Sequence, residues 1–422
     1  MKKTTRFFLS SIAFFALAPL AFSVETGGLL TNDTKFANIE KDGGLKLDQK
    51  NGINLWARHP LSEDGTSYFA AEGLFQTEYD ASIEESDKKL KLLADVTLFK
   101  LVVQKELDSG SLVFSAGRFF NSDLSGVVYT QNGDGAKFDL NISRISVSLF
   151  GAYTGLLNAK TVTILTSADQ DTYAPSNDSP DLSEKSKTVY VLADKYFAGG
   201  VTFALPHIFA SQTIAAEGFG AFGLESKKYN RFYGTVALNG PLVPSFFYDV
   251  SSTFGFAKYD DGDMEKGNLT KGSITFYPDI KPTFESASIS VNGLYASGQQ
   301  GSFKSFQGFT SGTSVNSLDQ PEYSNVLLAG LSATLKPVSN VLLSAKGDLV
   351  FNTAAGEDSD KIKQCGFQYS AGFNWQIVSD VSLGASFGQF IGQKVDDVDY
   401  SEAGTGIGGN KTELKITAAI AF

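Results

Sequence analysis

Residues 413–422 alternate strictly, and the chain stops on an aromatic ring. Leu414, Ile416, Ala418, Ile420 and Phe422 fall on one side of an extended strand; Glu413, Lys415, Thr417, Ala419 and Ala421 fall on the other. A helix, repeating every 3.6 residues, cannot use a period of two. The pattern demands a strand with one greasy and one wet face, and it ends without a polar tail. In water an exposed terminal Phe is a liability. In a bilayer it fits, because a spanning barrel turns one face to lipid and carries aromatic residues at its rims.

The period recurs along the chain. In 367–377, Phe367, Tyr369, Ala371, Phe373, Trp375 and Ile377 oppose Gln368, Ser370, Gly372, Asn374 and Gln376. Segments 69–79, 144–153, 231–239, 246–256, 286–295, 341–351 and 381–388 repeat the alternation. Stretches 92–105 and 188–205 lose phase midway, which predicts a bulge or a strand longer than the bilayer needs. Connections alternate in length too. Tight joints fall near 108–111, 205–207, 239–244, 278–282, 337–340 and 379–380, with longer polar stretches at 155–187, 223–229, 260–267, 299–323, 355–361 and 394–410. The expected fold is therefore all-β: a transmembrane antiparallel β-barrel of about 18 strands, with ~16 as the alternative, short periplasmic turns and longer extracellular loops. Segments 24–60 and 120–140 are the least regular. No plug domain is expected, since 27–31 already reads as strand.

The amino terminus is consistent with export. Lys2, Lys3 and Arg6 precede an apolar stretch at 7–22, and Ala21-Phe22-Ser23 supplies small residues at the −3 and −1 positions. Residues 1–23 are expected to be a signal peptide and 24–422 a single barrel domain. Cleavage would remove three positive charges from a chain whose formal net charge is already −11, a balance that excludes nucleic acid as a partner. A lone cysteine, Cys365, forms no internal disulfide.

Taking the polar face as the lumen assigns the pore lining to Glu72, Glu78, Asp139, Asp249, Asp348 and Glu413, against Lys137, Arg144, Arg231, Lys271, Lys346 and Lys415. Mixed signs imply a water-filled channel with modest ion selectivity, though partly buried charges also pair as wall struts. Loops 155–187 and 299–323, the second with Phe303, Lys304, Phe306 and Phe309, are candidates to fold inward as a constriction. Acidic runs at 84–87, 260–265, 357–360 and 396–402 read as solvated loop charge. Asp261-Gly262-Asp263 lacks the later ligand spacing of a calcium loop, so no metal or cofactor is expected. With only His59 and His207 as bases, and neither in a recognisable constellation, no enzyme is expected.

Two resemblances add to this. The final strand resembles the one that bacterial outer-membrane proteins present to their barrel-insertion machinery, with Phe422 as the insertion signal. Gly117-Arg118-Phe119, followed by Asp134-Gly135-Ala136-Lys137-Phe138-Asp139-Leu140, resembles the early hairpin of alginate-export and other substrate-selective porins, in which the Arg points into the channel. Here Arg118 shares parity with Phe114 and Ala116, a departure from that pattern. The expected function is an outer-membrane porin for passive diffusion of small hydrophilic solutes or ions; the alternative is a surface adhesin or antigen displayed on a barrel. The expected partners are outer-membrane lipid, the insertion machinery and the solutes, with a homotrimer or a monomer both open.

Overall fold

In the computed structural model, the structure describes residues 24–39, 45–82, 88–162, 164, 189–224, 229–259, 263–298, 306–310, 325–353, 362–395, 398–399 and 410–422. The expected signal segment 1–23 lies outside them.

Eighteen strands form one closed antiparallel sheet. They are β1 (Glu25–Ile39), β2 (Leu45–Pro60), β3 (Tyr68–Ser82), β4 (Lys88–Leu107), β5 (Gly110–Ser122), β6 (Thr130–Ile142), β7 (Ile145–Tyr153), β8 (Tyr196–Leu205) and β9 (Thr213–Gly223), followed by β10 (Tyr229–Val243), β11 (Phe246–Tyr259), β12 (Met264–Phe276), β13 (Ser286–Ala296), β14 (Val326–Val338), β15 (Val341–Asn352), β16 (Lys363–Val378), β17 (Val381–Gly392) and β20 (Lys411–Ala421). Two short strands, β18 (Lys394–Val395) and β19 (Val398–Asp399), make a separate small ladder. Each barrel strand pairs with its neighbour in sequence, and β1 closes the ring against β20, as expected for an up-and-down barrel. The seam is completed at its end by two backbone bonds: Phe422 N–H donates to the Gly28 carbonyl at 3.0 Å, and Gly28 N–H to the Phe422 carbonyl at 2.8 Å.

Faces follow the alternation. Leu414, Ile416, Ile420, Val236, Phe254, Ile289, Val291, Leu349 and Leu149 are exposed on the outside, while Glu413, Thr253, Arg231, Asp348 and Gln368 are buried on the inside. The connections at the end holding both termini are short: 61–67, 108–109, 143–144, 206–212, 244–245, 277–285, 339–340 and 379–380. In the first, the Asp64 carboxylate accepts bonds from Ser62 Oγ, Thr66 N–H and Thr66 Oγ1, which hold its pKa below the ordinary value. The three longest connections, 154–195, 297–325 and 393–410, lie at the opposite end, as expected.

Both phase losses have a structural cause. In β4 the register shifts between the partners of Glu72 and Gly73, which pair with Leu98 and Val96; Thr97 is left over as the bulge. The other stretch is not one strand: β8 starts only at Tyr196, and 189–195 run outside it.

Candidate functional site: the lumen and its constriction

β4 and β5 part company at Gly117. Their pairing ends at Phe99 and Arg118, yet β4 continues to Lys88 and β5 to Ser122, still paired with β6. Gly117 has φ of 118°, and a Cβ there would stand 2.0 Å from the Phe99 carbonyl oxygen. Only glycine permits this bend. Beyond it the β5–β6 hairpin leaves the wall and turns into the lumen.

The tip of that hairpin, 123–129, is organised by one buried carboxylate. Asp123 Oδ1 accepts the amides of Val128 (3.0 Å) and Tyr129 (2.8 Å), and Oδ2 accepts the amide of Ser125 (2.8 Å) and its hydroxyl. The tip then crosses to distant strands. Leu124 N–H donates to Glu217 on β9 at 3.0 Å, and Lys271 on β12 donates to the Ser125 carbonyl. A second inward segment, 306–310, lies against it: the amides of Phe309 and Thr310 each reach the Val128 carbonyl at 2.9 Å. Gln307 is held by Tyr229 and Tyr233 of β10, the latter donating to its carbonyl at 2.8 Å.

Around these bonds packs a dry aromatic cluster. Tyr129, Phe306 and Phe309 are fully buried, and ring centroids lie 5.7 Å apart for Tyr129 and Phe150, 5.6 Å for Tyr129 and Phe219, and 5.1 Å for Tyr196 and Phe309. Residues 306–310 of loop 299–323 thus lie inside the barrel, with Phe303 and Lys304 outside the described residues. Their partner is the short turn 123–129, inside a segment the sequence left irregular.

Loop 155–187 plays another part where it is described. Residues 154–162 and 189–195 repair the wall that β5 abandoned: Asn158 donates to the Ala94 carbonyl at 3.2 Å, and Ala94 N–H to the Val189 carbonyl at 3.4 Å. Arg118 locks the repair. It grips Asp134 with two bonds of 2.8 Å and also donates to Leu156 O (2.7 Å), Val96 O (3.0 Å), Tyr190 Oη (3.0 Å) and Asp95 (3.4 Å). Arg118 thus ties the turning hairpin to β4 and to the repairing segment.

The sequence-derived lumen residues fall into distinct groups. Asp249, Lys271, Lys346 and Asp348 share one inward cavity of about 280 Å³, with Lys346 and Asp348 paired at 3.1 Å. Lys137 and Asp139 pair at 3.2 Å on β6, and Glu72 accepts a bond from Thr97 at 2.8 Å. Arg231 is fully buried over the Tyr229 ring, and its three guanidinium nitrogens meet no acceptor among the described residues. Arg144 departs from its expected position: it stands exposed in the 143–144 turn between β6 and β7, because the strand it was placed on begins only at Ile145.

Glu78, Glu413 and Lys415 belong to a ladder across β20, β1, β2, β3 and β4. Lys415 pairs with Asp33 at 2.6 Å, Lys35 and Lys411 with Glu413 at 3.0 and 3.5 Å, Lys50 with Glu78 and Asp48 at 3.4 and 3.8 Å, and Lys91 with Asp80 and Glu78 at 2.6 and 3.8 Å. Asp48, Glu78 and Asp80 bring carboxylate oxygens within 4.8 Å of one another, and Lys50 and Lys91 offset that charge. Seven members of the ladder, Asp33, Lys35, Asp48, Lys50, Asp80, Lys91 and Lys411, were not singled out from sequence. The alternation that would have exposed them is interrupted on the outer face of β1 and β2, where Asn32 donates to Asn51 at 2.7 Å.

No family model and no curated protein matches the chain. Solved structures do. Pseudomonas aeruginosa OccK3 (OpdO) aligns at 10% identity over 97% of this chain and 98% of its own, with a TM-score of 0.57. OccK5 (OpdH) of the same organism aligns at 11% identity over 94% and 98%, TM-score 0.56, and OccK2 (OpdF) at 10% over 94% and 98%, TM-score 0.56. The chain shares their fold. At such identities the likeness extends to architecture and not to individual side chains.

Proposed function

We propose that the protein is an outer-membrane porin that lets small hydrophilic solutes or ions diffuse down their gradients. The observation that carries this reading is the contrast across the wall: an apolar exterior suited to lipid, and an interior lined by half-exposed charged side chains that need water. A display scaffold has no need of a wet, charged interior. In this reading residues 1–23 direct export, β20 with Phe422 addresses the insertion machinery, and the short turns face the periplasm. Transport is then governed by geometry and field: the segments 123–129 and 306–310 narrow the lumen, and charges on the wall bias what passes. Reconstitution in planar bilayers tests it. Discrete ohmic steps from the folded, heat-modifiable protein are expected; electrical silence from protein verified as folded would defeat the porin reading.

A further inference from the structure

On the reading that the barrel conducts, we infer that, level with the inward segments 123–129 and 306–310, the aqueous path is confined to the wall formed by β20 and β1–β4, and that the ladder there sets ion selectivity. In a ring of eighteen, β2 and β11 stand nine strands apart and face each other across the lumen. Both inward segments are bonded to β9, β10 and β12, so they occupy the half of the lumen next to β11. Charges beside and behind these segments differ in exposure. On the ladder, the side chains of Lys50 and Lys91 are 42% and 40% exposed, whereas Glu217 of β9 and Arg231 of β10, on the wall behind the inward segments, are buried.

Distance decides which charges an ion feels. The pull of a unit charge in water falls about fivefold between 4 Å and ~20 Å, and salt screens beyond about 10 Å. An ion moving along β1–β4 therefore responds to the ladder and little to the far wall. The ion-paired members described above are five lysines and five carboxylates, so the ladder is neutral as a set. The wild-type channel should discriminate weakly between potassium and chloride.

Reversal potentials in a potassium chloride gradient test this. The double variant Lys50→Gln/Lys91→Gln should raise the potassium-to-chloride permeability ratio at least about threefold, and Asp48→Asn/Asp80→Asn should lower it by a similar factor. Arg231→Gln, fully buried on the far wall over the Tyr229 ring, should leave it unchanged. Open channels whose ratio ignores both ladder variants, or that respond as strongly to Arg231→Gln, overturn the inference while leaving the porin reading intact; no channels at all from folded wild type overturns both. A second measurement does not require conduction. In folded protein a small charged thiol reagent should label Asp80→Cys but not Ser251→Cys, Ser251 being buried on β11 and native Cys365 being buried as well. The opposite labelling pattern would refute the assigned path directly.

Discussion

Gly117 and Arg118 are adjacent and do opposite things: one lets the backbone leave the wall, the other ties the wall shut behind it. Gly117→Ala would force a Cβ into the Phe99 carbonyl at a φ that side chains resist, at a cost of about 1–3 kcal/mol. Urea unfolding in detergent should show that loss. If the hairpin is released from the lumen, single-channel conductance should rise. Arg118→Gln, which strips the cation from half-buried Asp134 and buried Asp95, should cost about 3–5 kcal/mol, and Arg118→Lys should not rescue it, because a point charge cannot reproduce the two-pronged grip on Asp134. The same denaturation assay checks both. Asp64 provides a pH-dependent case outside the wall. Its depressed folded pKa means that its hydrogen bonds stabilise the 61–67 turn above the ordinary 3.8, and this contribution is lost as pH falls through the folded value. The Thr66 amide resonance should report that midpoint below 3.8.

Among elements, β10 states the two-faced rule most clearly. Phe232 and Val236 are exposed outside, while Arg231, Tyr233, Thr235 and Ala237 are buried inside. Val236→Arg should therefore cost about 2–4 kcal/mol if that position lies near the bilayer midplane, measured by unfolding from liposomes, since a charge would replace an apolar side chain facing lipid. Strands whose outer row is continuously apolar were legible from sequence, β20, β16 and β10 among them. β1 and β2 were harder because outward Asn32 and Asn51 satisfy each other and interrupt the apolar row. The break in β4 was visible as lost phase, but only pairing with β3 identifies Thr97 as the extra residue.

At the scale of the molecule, the ring closes where the two ends of the chain meet. The Phe422 ring lies over Gly28, where an added Cβ would come within 2.3 Å of it, and its backbone contributes two seam bonds. Deleting Phe422 should lower the fraction of heat-modifiable barrel on a semi-native gel, as both bonds and the ring contact are lost together. What the sequence by itself determined is the closed, two-faced wall: period-two patterning is local, and each strand carries its own instruction about which face meets lipid. What only the tertiary structure decided is how the interior is divided. Whether Arg118 braces a wall, whether Arg144 lies in a turn, and whether Tyr129 meets Phe309 depend on residues far apart in the chain. Parity tells a side chain which way to point, but it carries no information about which strand's neighbour has bent away or what fills the space across the lumen.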